Sequence, residues 1–281
     1  MPDATSVAAA AAETAAAAPR RRRAGGRRGT AVIDQMPWRV PVNPDRPTEP
    51  LPPEGVEAIH KGAMRILSEI GIEFLNEEAR DHLARAGCKV SGTNVRMDEA
   101  FVMEMIAKAP SEFTITPRNP DRQITIGGKH MVFGNVSSPP NAWDLDRGKR
   151  TGDFETYKEF LKLTQYFNCI HFAGGYAPEP TDIHASVRHL DCLSDLVKLT
   201  DKPFHAYSLG RQRNLDALEI ARIGRGVSAE QMEAEPSLFT IINASSPLRY
   251  DAPMLQGIIE MSSRNQVVVI TPFTLAGAMA P

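Results

Sequence analysis

Five short apolar runs alternate with amphipathic segments over residues 130–281. In chain order, the runs are His130–Asn135, Cys169–Tyr176, Pro203–Ser208, Ser237–Ser245 and Val267–Thr271. Between them, apolar residues recur at helical spacing in four segments, at about 153–167, 185–199, 214–224 and 252–263. Strands that alternate with helices indicate a parallel sheet with crossover helices. We therefore predict an α/β fold, a (β/α)8 barrel of the TIM type, which is incomplete here because only about five of its eight strands are present.

The second predicted helix carries the clearest apolar stripe. Residues at helical spacing form it, namely Val187, Leu190, Leu193, Leu196 and Val197. We expect this stripe to cover the outside of the sheet as part of the core.

The chain before residue 130 has two parts of different composition. Residues 1–35 are rich in alanine and arginine and lack an apolar stripe, which predicts a disordered tail. The arginines leave open an alternative, an electrostatic tether to nucleic acid or to an acidic partner. Residues 36–129 begin with a proline-rich lead-in and continue as a small α+β segment. With residues 130–281, these parts give three predicted regions.

Local signals define the elements of the α+β segment. Helical spacing predicts three helices, near 56–70, 76–86 and 98–109. Gly71 is a plausible stop for the first helix, and Asp98 a plausible cap for the third. Alternating apolar residues predict a hairpin and two further strands, at Lys89–Met97, Glu112–Thr116 and Gln123–Ile126.

The overall composition is that of an ordinary globular protein. A formal net charge of −2 gives no indication of binding to nucleic acid. The three cysteines are scattered and odd in number, which fits a reducing compartment and predicts a cytoplasmic location. No segment approaches the roughly 18 consecutive apolar residues of a membrane-spanning helix, so we expect no membrane association.

Five segments of the chain resemble one known family, the trimethylamine:corrinoid methyltransferases. The segments are Ile59–Leu67, Gly134–Asn141, Phe167–Tyr176, Thr200–Phe204 and Ile270–Pro281. The family includes relatives that act on glycine betaine and similar methylamines. Because the resemblance recurs from about residue 50 to the last residue, we consider it specific.

The resemblance implies an enzyme with a protein partner. Such an α/β barrel carries a methyl group from a small methylated amine to the cobalt of a corrinoid, which a separate, cognate corrinoid protein holds. Family members are considerably longer, and the resemblance stops in mid-motif at Pro281. We therefore expect the catalytic residues to lie outside this sequence. The pyrrolysine of the trimethylamine branch would lie there too, so both the branch with pyrrolysine and the branch without it stay open.

The implied chemistry requires positioning rather than a metal bound directly to the chain. A quaternary ammonium is a good leaving group because its departure neutralises its charge, and cobalt(I) is a strong nucleophile. The pocket is expected to offer aromatic faces to a cation, at the carboxyl ends of the strands where barrels carry their sites. The candidates for substrate binding are the aromatic Trp143, Tyr176 and Tyr207 and the polar Asn135, Ser137, Ser138, His205, Asn243 and Thr271.

Each candidate has a structural alternative. The three aromatic side chains are equally suited to packing loops over the barrel mouth. Asn135 and Asn243 belong to a residue type that satisfies backbone groups in turns. His205 shares a strand face with Tyr207, and a hydrogen-bonded core histidine is as consistent with that position as a pocket residue.

Two pairs of metal-ligating residue types lie close together in the chain. His189 and Cys192 share a helix face, and Cys169 and His171 share one side of a strand. Neither pair has the spacing of a zinc site such as paired Cys-x-x-Cys motifs, so no metal site is predicted.

Two hypotheses stay open beside the methyltransferase. One is an inactive product, truncated or degenerate, and the other is a protein tethered to nucleic acid by its arginine tail. Five strands of an eight-stranded barrel would leave backbone groups unpaired on Met131–Gly134 and on Val267–Ile270. We therefore expect the isolated chain to aggregate, or to form a homo-oligomer through its last strand.

Overall fold

The computed structural model describes residues 33–245, 247–272 and 277. Apart from residues 33–35, the tail for which we predict disorder lies outside the described residues. The chain divides after Gln35, and every element below belongs to the unit that begins at Met36. Within the described ranges, no helix combines the length and the apolar character needed to cross a membrane.

The α+β segment forms the elements that its local signals predict and, in addition, a short strand at Ile72–Phe74, which the sequence analysis missed. Helix α1 (Pro53–Arg65) continues as a π-helical turn (Ile66–Ile70) and stops at Gly71, whose φ is 84°. Asn76 and Asp98 cap the next two helices by accepting hydrogen bonds from backbone N–H groups. The remaining elements are β1 (Ile72–Phe74), α2 (Glu77–Arg85), β2 (Lys89–Ser91), β3 (Asn94–Arg96) and α3 (Glu99–Ala107).

Two antiparallel hairpins follow. Strands β4 (Glu112–Ile115) and β5 (Ile124–Gly127) form where they are predicted, with a short 3-10 turn at Pro120–Arg122 between them. Strands β6 (Asn141–Asp144) and β7 (Gly148–Thr151) form a hairpin that the sequence analysis missed. Only Trp143 and Leu145 are apolar residues spaced two apart in this hairpin, and a single such pair is too short an alternation to predict a strand.

Helices alternate with the predicted runs in the rest of the chain, although the second run, Cys169–Tyr176, forms only isolated bridges. The elements are α4 (Phe154–Tyr166), α5 (Arg188–Leu199), β8 (His205–Ala206), α6 (Arg211–Arg225), α7 (Ala229–Ala234), β9 (Phe239–Asn243), β10 (Arg249–Tyr250), α8 (Ala252–Ser262) and β11 (Val267–Thr271). The sequence analysis did not predict the short helix α7 or the two-residue strand β10.

The five predicted runs lie side by side in sequence order, and every neighbouring pair is parallel. A bridge between Gly134 and Phe172 joins the first run to the second, and one between Ala173 and Phe204 joins the second to the third. Strand β8 pairs with β9, and β9 pairs along its whole length with β11. The prediction of an α/β fold is confirmed, and the described residues contain no closed barrel.

Apolar side chains fill both sides of these strands, because successive residues of a strand point to opposite faces. One cluster packs between the strands and the helices and includes Leu161, Leu193, Leu196, Leu238 and Met261. The other packs against the hairpin β4–β5 and includes Ile115, Ile124, Phe172, Phe239 and Val267.

The apolar stripe predicted on α5 is wrong in its first half. Val187 and Leu190 are exposed, although the later members of the stripe are buried or half-buried. The buried face instead runs through His189 and Cys192, because His189 Nε2 lies 2.7 Å from Asp216 Oδ2 of the neighbouring helix α6.

The proline-rich lead-in pairs with the start of the first run. Met131 N donates to Pro41 O at 2.8 Å, and Asn43 N donates to Lys129 O at 2.8 Å. The open edge predicted at Met131–Gly134 is therefore wrong at Met131, whose N–H is paired. Proline suits an edge segment because it offers no N–H for further pairing.

Strand β10 fastens the α+β segment to the loop after β9. It pairs in parallel with β1, where Glu73 lies opposite Arg249 and forms an ion pair with it at 2.6 Å. Nearby, Asn76 Nδ2 donates to Gln256 Oε1 of α8 at 3.1 Å. The segment therefore adjoins the carboxyl end of β9.

The ring of His205 links three neighbouring parallel strands. Its Nδ1 lies 3.0 Å from Gly174 O, and its Nε2 accepts the N–H of Ile241 at 3.2 Å. Because Nε2 accepts a hydrogen bond, the ring is neutral and carries its proton on Nδ1, which donates to Gly174. Burial lowers the pKa of His205 to about 4.

We expect His205 to make the protein sensitive to acid. Because its folded pKa of about 4 lies below the ordinary value of 6.5, the unfolded chain takes up this proton first as the pH falls. The contribution of His205 is complete above pH 6.5 and is lost as the pH falls towards 4. From pH 7 to pH 5 the loss should be about 2 kcal/mol.

Urea unfolding at pH 7 and pH 5 measures this loss. His205→Asn keeps a hydrogen-bond donor but does not titrate. Between pH 7 and pH 5, the free energy of unfolding of the variant should therefore fall by about 2 kcal/mol less than that of the unaltered chain. Equal losses in the two proteins would contradict the assignment to His205.

We also expect the outer edge of β11 to promote self-association. Among the described residues β11 pairs only with β9, and Val269 and Ile270 are exposed. An uncharged β-branched edge is prone to pair with another chain. Ile270→Lys should therefore lower the associated fraction in sedimentation velocity, whereas Ile223→Lys, at an exposed position on α6, should not. Equal association of both variants would implicate another surface.

Candidate functional site

The carboxyl ends of the first and second runs are held together by Asn135. Its Oδ1 accepts the backbone N–H of Gly174 at 2.9 Å, while its Nδ2 donates to Val136 O at 3.2 Å. The two segments approach closely, since a Cβ on Gly174 would lie 2.0 Å from the carbonyl oxygen of Asn135. Asn135 therefore satisfies backbone groups at the predicted rim.

The hydroxyl of Tyr207 joins the ends of three runs. It lies 2.8 Å from Ser137 Oγ, contacts Ser138 Oγ and accepts the backbone N–H of Tyr176 at 3.0 Å. A phenol has one proton to donate and two lone pairs, so these three partners use its full hydrogen-bonding capacity. We call this group of Ser137, Ser138, Tyr176 and Tyr207 the tyrosine hub.

Gly175 makes room for the tyrosine hub. Its φ is 131°, a conformation that residues with a side chain rarely adopt. A Cβ at this position would also lie 2.4 Å from the Tyr207 hydroxyl. The sequence analysis did not identify Gly174 and Gly175 as part of the site, although two consecutive glycines at a strand end are a signal of close backbone approach.

The aromatic rings of the hub pack against other rings. Tyr176 and Tyr207 stack with centroids 4.2 Å apart, and the ring of His205 lies 4.6 Å from that of Tyr207. Tyr157 meets Tyr176 edge-on at 6.2 Å. Tyr176 and Tyr207 were predicted to offer faces to a cation, and in this structure they contact each other instead. Burial raises the pKa of both hydroxyls, so both tyrosines are neutral at physiological pH.

Asn243 and Thr271 form a second polar group at the same end of the sheet. They lie opposite each other on β9 and β11, and Thr271 Oγ1 donates to Asn243 Oδ1. Both side chains are half-buried. Within the described residues Asn243 Nδ2 has no hydrogen-bond partner, so it is a donor that a ligand can use.

Two other candidates lie apart from these groups. Trp143 is 63% exposed on β6, where it faces solvent opposite Lys149 on β7. His205 lies below the hub, and its two ring nitrogens are bonded to backbone groups. The geometry of His205 favours the core alternative, since neither nitrogen is left for a substrate.

Of the residues considered as metal ligands, the two histidines have hydrogen-bond partners, while Cys169 is an exposed free thiol. His171 Nδ1 accepts the N–H of Phe133 at 2.9 Å, and His171 Nε2 lies 2.8 Å from Arg39 O. Cys192 is fully buried, and burial raises the pKa of its thiol to about 12. Among the described residues, no group of three or more His, Cys, Asp or Glu is placed to hold a metal ion.

The cluster at the carboxyl ends consists of amide, hydroxyl and aromatic groups. None of these changes its charge near neutral pH, because burial lowers the pKa of His205 and raises the pKa of Tyr176 and Tyr207. Such a set of groups can bind and orient a ligand, but it does not supply a proton donor or acceptor at neutral pH.

Comparison with known proteins connects this geometry to a family. Residues 17–281 match the family model described as trimethylamine methyltransferase (MTTB). The matched region contains the α+β segment, all five parallel runs and the polar groups at their carboxyl ends.

Three curated relatives are each similar to 80% of the chain. The glycine betaine methyltransferase of Desulfitobacterium hafniense (strain Y51) is 37% identical over 226 residues, which cover 80% of this chain and 47% of the relative. The proline betaine:corrinoid methyltransferase of Eubacterium limosum is 26% identical over 234 residues, with coverage of 80% and 48%. The trimethylamine methyltransferase MttB of Desulfitobacterium hafniense (strain DSM 10664 / DCB-2) is 22% identical over 231 residues, with coverage of 80% and 46%.

The chain thus spans about half the length of the curated relatives it matches. The family match covers all but the first 16 residues of the chain, because it begins at residue 17 and ends at residue 281. The resemblance seen in the five motif segments is confirmed, and the chain belongs to the trimethylamine methyltransferase (MTTB) family.

Proposed function

We propose that the protein takes part in methyl transfer from a methylated amine to the cobalt of a corrinoid that a partner protein carries. The observation behind this proposal is the family match over residues 17–281, together with relatives named as methyltransferases of betaines and trimethylamine. Because the chain spans about half of those relatives, the activity, the substrate and the partner are all part of the proposal.

We infer that the five parallel runs belong to a (β/α)8 barrel. The sequence order of the runs and the helices between them support this inference, since a barrel adds each strand beside the previous one. The proposed regions are a tail at residues 1–35, a lead-in with the α+β segment at 36–129 and the barrel portion at 130–281. A cytoplasmic location likewise stays a proposal.

The proposed donor is a quaternary ammonium that carries a carboxylate. Glycine betaine, proline betaine and carnitine have this chemistry, and relatives named for all three match the chain. When the methyl group leaves, the electron pair of the C–N bond stays on nitrogen and neutralises its charge. The corrinoid supplies a cobalt(I) nucleophile when it is bound, so the protein needs chiefly to orient the donor.

The two polar groups at the carboxyl ends suit this task in different ways. The Nδ2 of Asn243, which has no partner in the part of the chain that the structure describes, is a donor for the carboxylate of the amine, with Thr271 orienting the amide through its Oδ1. The tyrosine hub fixes the loop after the first run, so it sets the shape of the entrance. Of the aromatic candidates, only Trp143 presents an exposed ring in this structure.

The alternative, that residues 1–281 are inactive alone, is part of the same proposal. The matched part is less than half of each relative, so further residues of theirs can complete the site. A degenerate protein would stay inactive even when it is supplemented with the remainder of a relative, whereas the methyltransferase would become active.

Methylcobalamin formation from cob(I)alamin tests the proposal, with glycine betaine, proline betaine, carnitine and trimethylamine as separate donors. Residues 1–281 alone should give no product. Addition of the second half of the glycine betaine relative should give turnover with a betaine. Turnover by the isolated chain would contradict the inactivity, and a combined system inactive with all four donors would contradict the methyltransferase.

Tyr207→Phe tests whether the tyrosine hub shapes the entrance. The variant keeps the ring contacts with Tyr176 and His205 but removes three hydrogen bonds. We expect faster hydrogen exchange at residues 135–138 and at the Tyr176 amide. Glycine betaine should bind about tenfold more weakly, which corresponds to about one lost net hydrogen bond.

Tyr250→Phe is the matched control, because Tyr250 is also half-buried but lies on β10 outside the hub. Hydrogen exchange by mass spectrometry and calorimetric titration measure the two effects. Unchanged exchange at the loop in Tyr207→Phe would show that the hydroxyl does not hold it.

A further inference from the structure

Large apolar side chains are exposed at one end of the parallel strands. They lie in the segments between the carboxyl end of a run and the next helix, namely at Val136, Trp143, Leu145, Val187, Leu209 and Leu248. The described segments that lead from a helix to the amino end of the next run, at 167–168, 200–202, 226–236 and 263–266, contain no exposed large apolar side chain. The connecting segments at the two ends of the sheet therefore differ in surface chemistry.

The hairpin β6–β7 exposes the largest of these side chains. Trp143 is 63% exposed and Leu145, at the turn, is 89% exposed. Ala142, which points to the opposite face of the strand from Trp143, is buried. An exposed tryptophan is unusual on the surface of a monomer, and tryptophan is enriched among the residues that dominate protein–protein binding. The side chains therefore mark the hairpin as a contact surface.

The hairpin is held in a fixed orientation. Arg147 Nε donates to Asp144 Oδ2 at 2.9 Å, and Arg147 Nη2 donates to Glu159 Oε2 of α4 at 2.9 Å. Arg150 also pairs with Asp144, at 2.5 Å. These bonds tie one face of the hairpin to α4, so its opposite face, with Trp143, stays turned to solvent.

Its base is fixed to neighbouring loops at the carboxyl rim. Gly152 N donates to Pro140 O at 3.0 Å, and Thr181 N donates to Gly152 O at 3.2 Å. Thr181 lies in the loop after the second run. The rim is therefore continuous from the first run, through the hairpin, to the segment that follows the second run.

We propose that the hairpin β6–β7, with Trp143 and Leu145 as its apolar anchors, is a docking surface for the corrinoid-carrying partner protein. This inference rests on the proposed function, which requires the cobalt to reach a methyl group at the carboxyl ends of the strands. A second copy of the chain on the same surface would obstruct that approach. The partner is thus recognised by apolar contact, beside the entrance through which its corrinoid reaches the donor.

Binding of a purified corrinoid protein tests the proposal, with the one that the Eubacterium limosum proline betaine relative methylates as the probe. The full chain is immobilised, and affinity is measured by biolayer interferometry. We expect Trp143→Ala to weaken binding at least tenfold and Leu145→Ala to weaken it severalfold. Ile223→Ala, at an exposed apolar position on α6, should bind like the unaltered chain.

Fluorescence provides a second readout that does not depend on folding of the alanine variants. The chain has two tryptophans, so Trp38→Phe leaves Trp143 as the sole reporter. Addition of the corrinoid protein should shift the Trp143 emission to shorter wavelength and protect it from iodide quenching. Free cobalamin at the same concentration should give no such protection.

Each outcome decides between the proposal and its alternatives. No binding by the unaltered chain, or equal binding by Trp143→Ala and Ile223→Ala, overturns the proposal. If sedimentation velocity shows a dimer of the chain that Trp143→Ala dissociates, the hairpin is a self-interface, and this also overturns the proposal.

Methyl transfer to free cob(I)alamin by the chain combined with the second half of the glycine betaine relative is measured separately. Its failure would contradict the proposed function without affecting the binding result.

Discussion

Parallel pairing of the five runs is the constraint on which the rest of this structure depends. Because neighbouring strands run in the same direction, their carboxyl ends meet at one edge of the sheet, although the residues are far apart in sequence. Asn135 thereby reaches the backbone of Gly174, and Asn243 lies opposite Thr271. The crossover helices stabilise this arrangement by burying the apolar side chains on the outer face of the strands. The rim contacts are thus a consequence of strand direction.

Convergence at that edge also crowds the backbone, and the crowding explains the local chemistry. Gly174 and Gly175 let the loop after the first run approach until the hydroxyl of Tyr207 bonds to both segments. A residue with a side chain would separate them at either position. The tyrosine rings then fill the remaining space by stacking, which removes them from solvent and keeps their hydroxyls neutral. The hub is therefore a rigid and uncharged part of the rim.

The sequence predicted the features that depend on local spacing. The helix cap at Asp98 and the stop at Gly71 both follow from residues near in the chain. Contacts between distant segments left no such signal. The pairing of β10 with β1 involves two short strands about 176 residues apart, and that of Pro41 with Met131 involves a proline-rich segment without alternation. Both depend on how the α+β segment and the lead-in pack, which spacing does not specify.

The candidate aromatic residues illustrate the same limit. Trp143, Tyr176 and Tyr207 all follow the carboxyl ends of strands, so the sequence assigned one role to the three. Tyr176 and Tyr207 belong to neighbouring parallel runs, and their side chains meet because the strands are adjacent. Trp143 belongs to a hairpin whose other face is bonded to α4, so its ring turns outward. The same rim therefore carries a stacked aromatic pair and an outward-facing indole, because strand adjacency determines the first and the contacts of the hairpin determine the second.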